Sequence, residues 1–180
     1  MIVITGTPGV GKHTLAKYLA EELGMEVVDV NKVAISTKSY KKSGRILDVD
    51  TKKLASKIKK IITKNAILVG HLAPYVVSRR QIEFALVLRK SPYKLFPIYK
   101  KRNYSNAKAQ ENAASEILGV IAYDAIKNFG PSKTAQLDMT GIGKKEAARK
   151  ALHILKRKKG DNVDWLAKVA KRKDLERFFR

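Results

Sequence analysis

A glycine-rich stretch near the start of the chain, GTPGVGKHT at residues 6–14, has the residue types of a phosphate-binding loop. Gly6, Gly11 and Lys12 fit the pattern G-x-x-x-x-G-K. In this pattern the glycines let backbone N–H groups face phosphate oxygens, and the lysine reaches the β- and γ-phosphates. The N-terminus of a following helix would add a partial positive charge. The stretch therefore predicts a nucleotide site, and a tight strand-to-helix turn without a ligand is the structural alternative.

The residue after the lysine is His13, where most such loops place a Ser or Thr whose hydroxyl contacts the magnesium ion. Thr14 supplies a hydroxyl one position later, so the loop fits the longer pattern G-x-P-G-x-G-K-x-T. That pattern is typical of adenylate-kinase-like nucleotide kinases, in which magnesium is held largely through waters. His13 therefore does not exclude ATP, because its backbone N–H can still face a phosphate.

The segments around the loop predict a parallel α/β sheet with helices on both faces. Short apolar runs that are typical of buried strands lie at 2–5, 25–30, 66–70, 84–89 and 135–139. Helical patterns alternate with these runs, which favours right-handed crossovers between parallel strands. In such sheets ligands bind at the carboxyl ends of the strands, where the loop after the first strand lies. The expected fold is that of a P-loop NTPase, adenylate-kinase-like in its loop pattern.

Apolar spacing and capping residues predict the helices. The first helix covers 12–23 and ends at Gly24, and another begins at Asp50 or Thr51. Ser91 and Pro92 begin a third helix, which we expect Pro97 to end or kink. The remaining predicted helices cover 106–129, 144–158 and 162–174. Residues 31–49 lack periodicity and predict a mobile or irregular segment.

The composition is strongly basic, with a formal net charge of +22. Residues 32–64 hold eleven Lys or Arg and two acids, and residues 131–180 hold fifteen and six. Such fields attract polyanions and make their binding salt-dependent. An RNA or ribonucleoprotein partner is one interpretation, and lysine-rich solvated surfaces that keep the protein soluble are the other.

Several classes of protein are excluded by what the sequence lacks. The chain has no cysteine, so it has no disulfides, cysteine metal sites or thiol catalysis. No apolar run approaches the ~20 residues of a membrane span, and the first residues are too few for a signal peptide. We therefore expect a cytoplasmic protein without a membrane partner.

Over about residues 1–155 the chain resembles the adenylate kinase isoenzyme 6 family, which includes the coilin-interacting nuclear ATPase protein and archaeal relatives. The resemblance depends on five stretches in this order: ITGTPGVGK, ILDVD (46–50), LVGHLAPY (68–75), LVLR (86–89) and KKRNY (100–104). It implies adenylate kinase and ATPase activity with ATP, AMP and Mg²⁺. It also implies a role in small-subunit (16S rRNA) maturation, with rRNA and the ribosomal protein uS11 as partners.

The resemblance also implies site residues. The ATP phosphates would be lined by Gly9, Gly11, Lys12, His13 and Thr14. A short lid at about 101–111 would bring Arg102 over the phosphates, where a guanidinium neutralises charge on the transferring group. His71 would orient or activate water or act as a switch, and a hydrogen-bonded structural histidine is the alternative. The catalytic set implied is thus Lys12, Arg102 and His71, with the nucleoside monophosphate region at about 29–50.

One departure from the family affects magnesium. The family has an aspartate two residues before the histidine, where this chain has Val69. Asp29, Asp48 or Asp50 could supply the missing carboxylate. The monophosphate region lacks an evident arginine in its first part. The tentative monophosphate set is therefore Asp48, Asp50 and Arg89. Arg45 is a weaker choice than Arg89. The alternative role of Asp50 is to cap a helix.

Three functions remain open from the sequence. The chain would be a nucleoside monophosphate kinase, an ATP-driven ribosome-assembly factor, or a catalytically weakened nucleotide-dependent factor that binds RNA or a ribosomal protein. Val69 predicts low kinase activity. The predicted organisation is a kinase-like domain over 1–157 and a basic amphipathic helical extension over 158–180. The extension would pack its apolar face on the core or dock on a partner.

Overall fold

The computed structural model describes residues 1–43 and 46–179, in which strands alternate with helices. The strands are β1 (Ile2–Thr5), β2 (Glu26–Asp29), β3 (Tyr40–Ser43), β4 (Ile46–Val49), β5 (Ala66–Val69), β6 (Phe84–Arg89) and β7 (Thr134–Asp138). The helices are α1 (Lys12–Leu23), α2 (Val30–Ser36), α3 (Thr51–Ile61), α4 (Ala73–Val76), α5 (Pro92–Lys101), α6 (Asn106–Leu118), α7 (Val120–Phe129), α8 (Lys144–Arg157), α9 (Trp165–Lys171) and α10 (Leu175–Phe178). A 3₁₀ turn spans Pro131–Lys133.

The central sheet has five parallel strands in the order β2-β5-β1-β6-β7. Every residue of β1, β5 and β6 is buried, which explains why these strands are continuous apolar runs. β1 lies in the middle, so the loop that follows it opens at the centre of the carboxyl edge of the sheet. The predicted P-loop α/β fold is confirmed.

Alternate side chains of the strands face opposite layers of helices. Ile2 and Ile4 face the layer that contains α1, α5, α6, α8, α9 and α10. Val3 faces the other layer, which contains α2, α3, α4 and α7. In the described residues, no helix is both long and apolar enough to cross a membrane.

The described residues of the segment 31–49 form regular elements, so the prediction of an irregular segment is wrong for them. The segment contains α2 and an antiparallel β3–β4 pair that joins Tyr40 to Val49. Seven residues are too few to show helical periodicity, and a lysine-rich strand lacks the usual β-forming side chains. Arg45 lies outside the described residues.

Three further helix predictions are corrected. The segment 106–129 forms two helices rather than one, because Gly119 has a φ of +67° and ends α6. α5 continues past the exposed Pro97 to Lys101, so this proline costs a backbone hydrogen bond without ending the helix. The predicted helix over 162–174 ends at Lys171, and α10 follows it.

The C-terminal segment, residues 158–179 of the described chain, lies against the main body. The side chains of Trp165, Val169 and Phe178 are buried in the same hydrophobic cluster as β1 and α1. The side of α9 that carries Trp165 and Val169 is therefore packed, whereas Leu166 is 42% exposed. A boundary between two units at residue 157 stays a prediction.

Candidate nucleotide site

The phosphate loop, residues 6–11, joins the end of β1 to the first turn of α1. The φ angles of Gly6, Gly9 and Gly11 are 137°, 92° and 103°. A Cβ atom on Gly6 would lie 2.3 Å from the backbone oxygen of Leu88, so glycine alone fits beside β6 at this point. The loop therefore has the tight strand-to-helix geometry that the sequence pattern predicts.

Lys12 lies inside the loop that it follows in sequence. Its side chain is buried, and Nζ donates to the backbone oxygens of Gly6 and Thr7, each at 2.8 Å. Burial lowers the pKa of Lys12 to about 8, and the nearby charge of Arg102 acts in the same direction. A turn without a ligand would not need a buried ammonium group, whereas a phosphate site does.

Arg102 ends α5 and is exposed. It begins the turn between α5 and α6, in which Asn103 has a positive φ of 53°. Because its charge lowers the pKa of Lys12, the two cations lie within electrostatic reach of each other. The predicted lid at 101–111 is thus a helix end, a tight turn and the first turn of α6.

His71 lies just beyond the carboxyl end of β5, the strand beside β1. Burial lowers its pKa, and the charge of Lys12 lowers it further, so the imidazole is neutral at pH 7. A neutral imidazole can accept a hydrogen bond from water. The structure therefore brings Lys12, Arg102 and His71 to one edge of the sheet.

Val69 is fully buried, and its neighbour across the strand pair is Asp29 of β2. Asp29 Oδ2 lies 2.9 Å from His13 Nε2, and Oδ1 accepts from the backbone N–H groups of Asn31 and Lys32. The carboxylate thus caps α2 and contacts the side chain that replaces the usual hydroxyl. Its sequence signal was an acid that ends a short apolar strand.

The residues present fit a magnesium ion that ATP itself brings. Thr14 is exposed on the first turn of α1, and the Asp29 carboxylate lies beside His13 of the same turn. Within the described residues, no cluster of three His, Cys, Asp or Glu could enclose a metal. A hydroxyl, one carboxylate and phosphate oxygens are the donors that Mg²⁺ prefers, with waters completing its shell.

The tentative monophosphate residues belong to different elements. Asp50 caps α3 by accepting the backbone N–H of Lys53 at 2.9 Å, and Asp48 is exposed on β4. Arg89 is 4% exposed and contacts Glu116 and Gln136. Their binding of a monophosphate stays a prediction.

Two residues outside the loop that contact it, Tyr99 and Glu116, were missed in the sequence. The Thr7 hydroxyl donates to Glu116 at 2.6 Å, and the Tyr99 hydroxyl donates to the backbone oxygen of Pro8 at 3.0 Å. Glu116 and Tyr99 follow the loop by roughly a hundred positions, and neither belongs to a local motif. The fold alone brings them to the loop.

Comparison with known proteins agrees with this geometry. Residues 2–119 match a protein family described as "AAA domain". A "Putative adenylate kinase" of Saccharolobus solfataricus is 30% identical over 179 residues, which cover 98% of this chain and 92% of the relative. One of the same name from Pyrococcus furiosus is 34% identical over 170 residues, covering 92% and 91%. The chain belongs to the family of these archaeal relatives.

Solved structures show the same fold. Shikimate kinase from Bacteroides thetaiotaomicron superposes with a TM-score of 0.60 at 14% identity, covering 86% of this chain and 97% of that one. At this identity the likeness concerns the fold. Family and fold together support a nucleotide-kinase-like protein with a P-loop.

Proposed function

We propose that this chain is an adenylate kinase that binds ATP at its phosphate loop and transfers the γ-phosphoryl group to AMP. The observation that carries the proposal is the buried ammonium of Lys12, held by two loop carbonyls beside Arg102. Gly9, Gly11, His13 and Thr14 complete the ATP phosphate site. The names of the archaeal relatives support AMP as the acceptor.

In the proposed reaction an oxygen of the AMP phosphate attacks the γ-phosphorus of ATP. The bond from the γ-phosphorus to the β,γ-bridging oxygen breaks, and two ADP molecules result. Lys12 and Arg102 neutralise the charge that spreads over the transferring group, and no proton transfer by the protein is needed. Catalysis then consists of positioning and charge neutralisation.

Magnesium would supply further charge neutralisation at the β- and γ-phosphates. Thr14 and Asp29 are the residues that would hold its waters, with Asp29 in place of the carboxylate that Val69 lacks. Because Asp29 is also hydrogen-bonded to His13, its hold on the ion is weaker than that of an unshared carboxylate. This supports slow transfer to AMP.

His71 supports ATP hydrolysis as a second activity. Its neutral imidazole lies at the same sheet edge as Lys12 and can accept a hydrogen bond from an attacking water. In the absence of AMP, water would then take the γ-phosphoryl group. The acceptor decides which reaction occurs.

For AMP itself, the β3–β4 hairpin and α3 are the proposed binding region. Asp48 and Asp50 would contact the nucleoside, because carboxylates repel a phosphate. Arg89 would contact the phosphate only by exchanging its bonds with Gln136 or Glu116.

The basic surface supports a role in small-subunit maturation, with rRNA and uS11 as the proposed partners. Exposed cations lie on and after α3, at Lys52, Lys53, Lys59, Lys60 and Lys64. A second group lies on and after α8, at Lys144, Lys145, Arg149, Lys156, Arg157, Lys158 and Lys159. A metabolic kinase has no evident need for such charge, whereas a protein that contacts RNA phosphates does. The alternative function, a weakened nucleotide-dependent factor on RNA or a ribosomal protein, is favoured by Val69.

One assay separates these functions. ATP turnover is measured with and without AMP, and then with a 16S rRNA fragment or uS11. Formation of ADP from AMP identifies the kinase, and stimulation by rRNA or uS11 identifies the assembly ATPase. Binding of ATP and rRNA without turnover identifies the weakened factor. RNA binding should fall steeply with salt, and no binding at low salt would leave the basic surface with a role in solubility alone.

A further inference from the structure

Glu116 is a buried carboxylate that faces the phosphate loop from α6. Its side chain is 1% exposed, and Oε2 accepts the Thr7 hydroxyl at 2.6 Å. Oε1 accepts from Arg89 Nε at 2.8 Å and from the Lys90 backbone N–H at 3.0 Å. Burial raises the pKa of this carboxyl, and the Arg89 guanidinium opposes the shift. A buried charge with this many donors is fixed in position.

Thr7 links Glu116 to the catalytic lysine. It is 2% exposed, and its backbone oxygen accepts from Lys12 Nζ, while its hydroxyl binds Glu116. The orientation of this one loop residue therefore depends on α6 and in turn determines where the ammonium group lies.

Glu116 also binds the C-terminal segment. The indole Nε1 of Trp165, the first residue of α9, donates to Glu116 Oε1 at 3.1 Å. Asp164 caps this helix by accepting the backbone N–H of Ala167, which fixes the indole at the helix start. α9 is thus joined through one carboxylate to the loop.

A second path reaches the loop from α10. The ring of Phe178 packs on Phe96 with centroids 5.5 Å apart, and Phe96 contacts Tyr99 at 6.5 Å. The Tyr99 hydroxyl donates to Pro8 of the loop. The C-terminal segment thus supports two consecutive loop residues, Thr7 and Pro8, through different neighbours.

We propose that Glu116 is a positioning residue for the phosphate loop and that the C-terminal segment, through Trp165 and Phe178, holds the loop in its phosphate-binding conformation. This inference rests on the proposed function of the loop as an ATP site. The C-terminal segment then takes part in nucleotide binding. A partner that displaces α9 would lower the affinity for ATP.

The chain has one tryptophan, which makes the coupling directly visible in the full-length protein. ATP is titrated while Trp165 emission is followed, and the dissociation constant is compared with calorimetry. The emission of Trp165 should change as ATP binds, and the dissociation constant from this titration should equal the one from calorimetry. Emission that stays constant while calorimetry shows ATP binding would overturn the proposal.

Substitutions test the positioning role. Glu116→Gln keeps the size of the side chain and should weaken ATP binding about tenfold, whereas Glu22→Gln, an exposed change in the last turn of α1, should not. Trp165→Phe keeps most of the packing and removes the indole donor, so it should weaken ATP binding about threefold. Melting temperatures establish that each variant is folded.

A double-mutant cycle separates positioning from general stability. If Glu116 acts through Thr7, the effects of Glu116→Gln and Thr7→Val on the ATP dissociation constant are non-additive. Additive effects, or a Glu116→Gln variant that melts lower but binds ATP like the wild type, would overturn the proposal. A wild type that binds no ATP in calorimetry would overturn the proposed function first, and this inference with it.

Discussion

In the proposed ATP site, Lys12 determines how nucleotide binding responds to pH. Its pKa in the free protein is lowered to about 8 by burial, and a bound polyphosphate raises it again by favouring the ammonium form. ATP affinity should therefore be constant below about pH 8 and fall by up to about tenfold per pH unit above it. Binding above this pH must take up a proton.

Calorimetry of ATP binding at about pH 8.5, in two buffers with different ionisation enthalpies, measures that proton. We expect an uptake that approaches one proton per ATP, and the same uptake in Lys17→Ala, which changes an exposed lysine of α1. Equal heats in both buffers would show that Lys12 is charged throughout this range.

Val69 limits magnesium in the proposed reaction, so a carboxylate at that position should improve it. Val69→Asp is expected to lower by about tenfold the Mg²⁺ concentration needed for half-maximal AMP phosphorylation. Val69→Asn has the same shape without the charge and is the control. A wild type with fast AMP phosphorylation, or equal gains in the two folded variants, would contradict this role.

The residues of the ATP loop could be predicted because the motif is local: a strand, a glycine turn, a lysine and a helix. Tyr99 and Glu116 could not be predicted, because their contacts with Pro8 and Thr7 join positions far apart in sequence. Asp29 was recognised as an acid that could compensate for Val69, but only the pairing of β2 with β5 places it beside that residue.

Asp50 at the start of α3 has two predicted roles, as a helix cap and as a ligand of the monophosphate, and substitutions separate them. Its carboxylate accepts the backbone N–H of Lys53 and so caps the helix. Asp50→Ala should therefore lower the free energy of unfolding by about 1 kcal/mol, and Asp50→Asn should lower it much less, because asparagine also caps.

Kinetics of the same variants then test nucleotide binding by Asp50. If Asp50 is a cap alone, Asp50→Asn leaves the KM for AMP unchanged, as measured in an ADP-forming assay. A KM that rises severalfold in the stable Asn variant would identify Asp50 as a ligand of the monophosphate.

Elements with strong local signals were predictable, and those set by tertiary contacts were not. The buried strands β1, β5 and β6 are recognisable in the sequence as apolar runs, whereas β3 forms by pairing with β4 despite its lysines. Gly119 lies in a continuous helical pattern, but its φ of +67° is a conformation that other residues rarely adopt, and α6 ends there. The apolar spacing around Gly119 does not show this break.

In the molecule as a whole, the parallel sheet and, through Glu116, the C-terminal segment both reach the phosphate loop. The sheet brings Lys12, His71 and Arg102 together, and α9 and α10 support the loop from behind. The net charge of +22 adds a field that attracts nucleotides and RNA alike. A partner on the C-terminal segment would thus change ATP affinity from outside the site.

Binding of ATP by residues 6–14 through Lys12 is tested by calorimetry of ATP·Mg²⁺ binding to wild type and Lys12→Ala. We expect saturable binding by the wild type and a loss of at least about a hundredfold in Lys12→Ala, because a charge-assisted phosphate contact is removed. Lys17→Ala should bind like the wild type. Unchanged ATP affinity in a folded Lys12→Ala protein would contradict the assignment of the site.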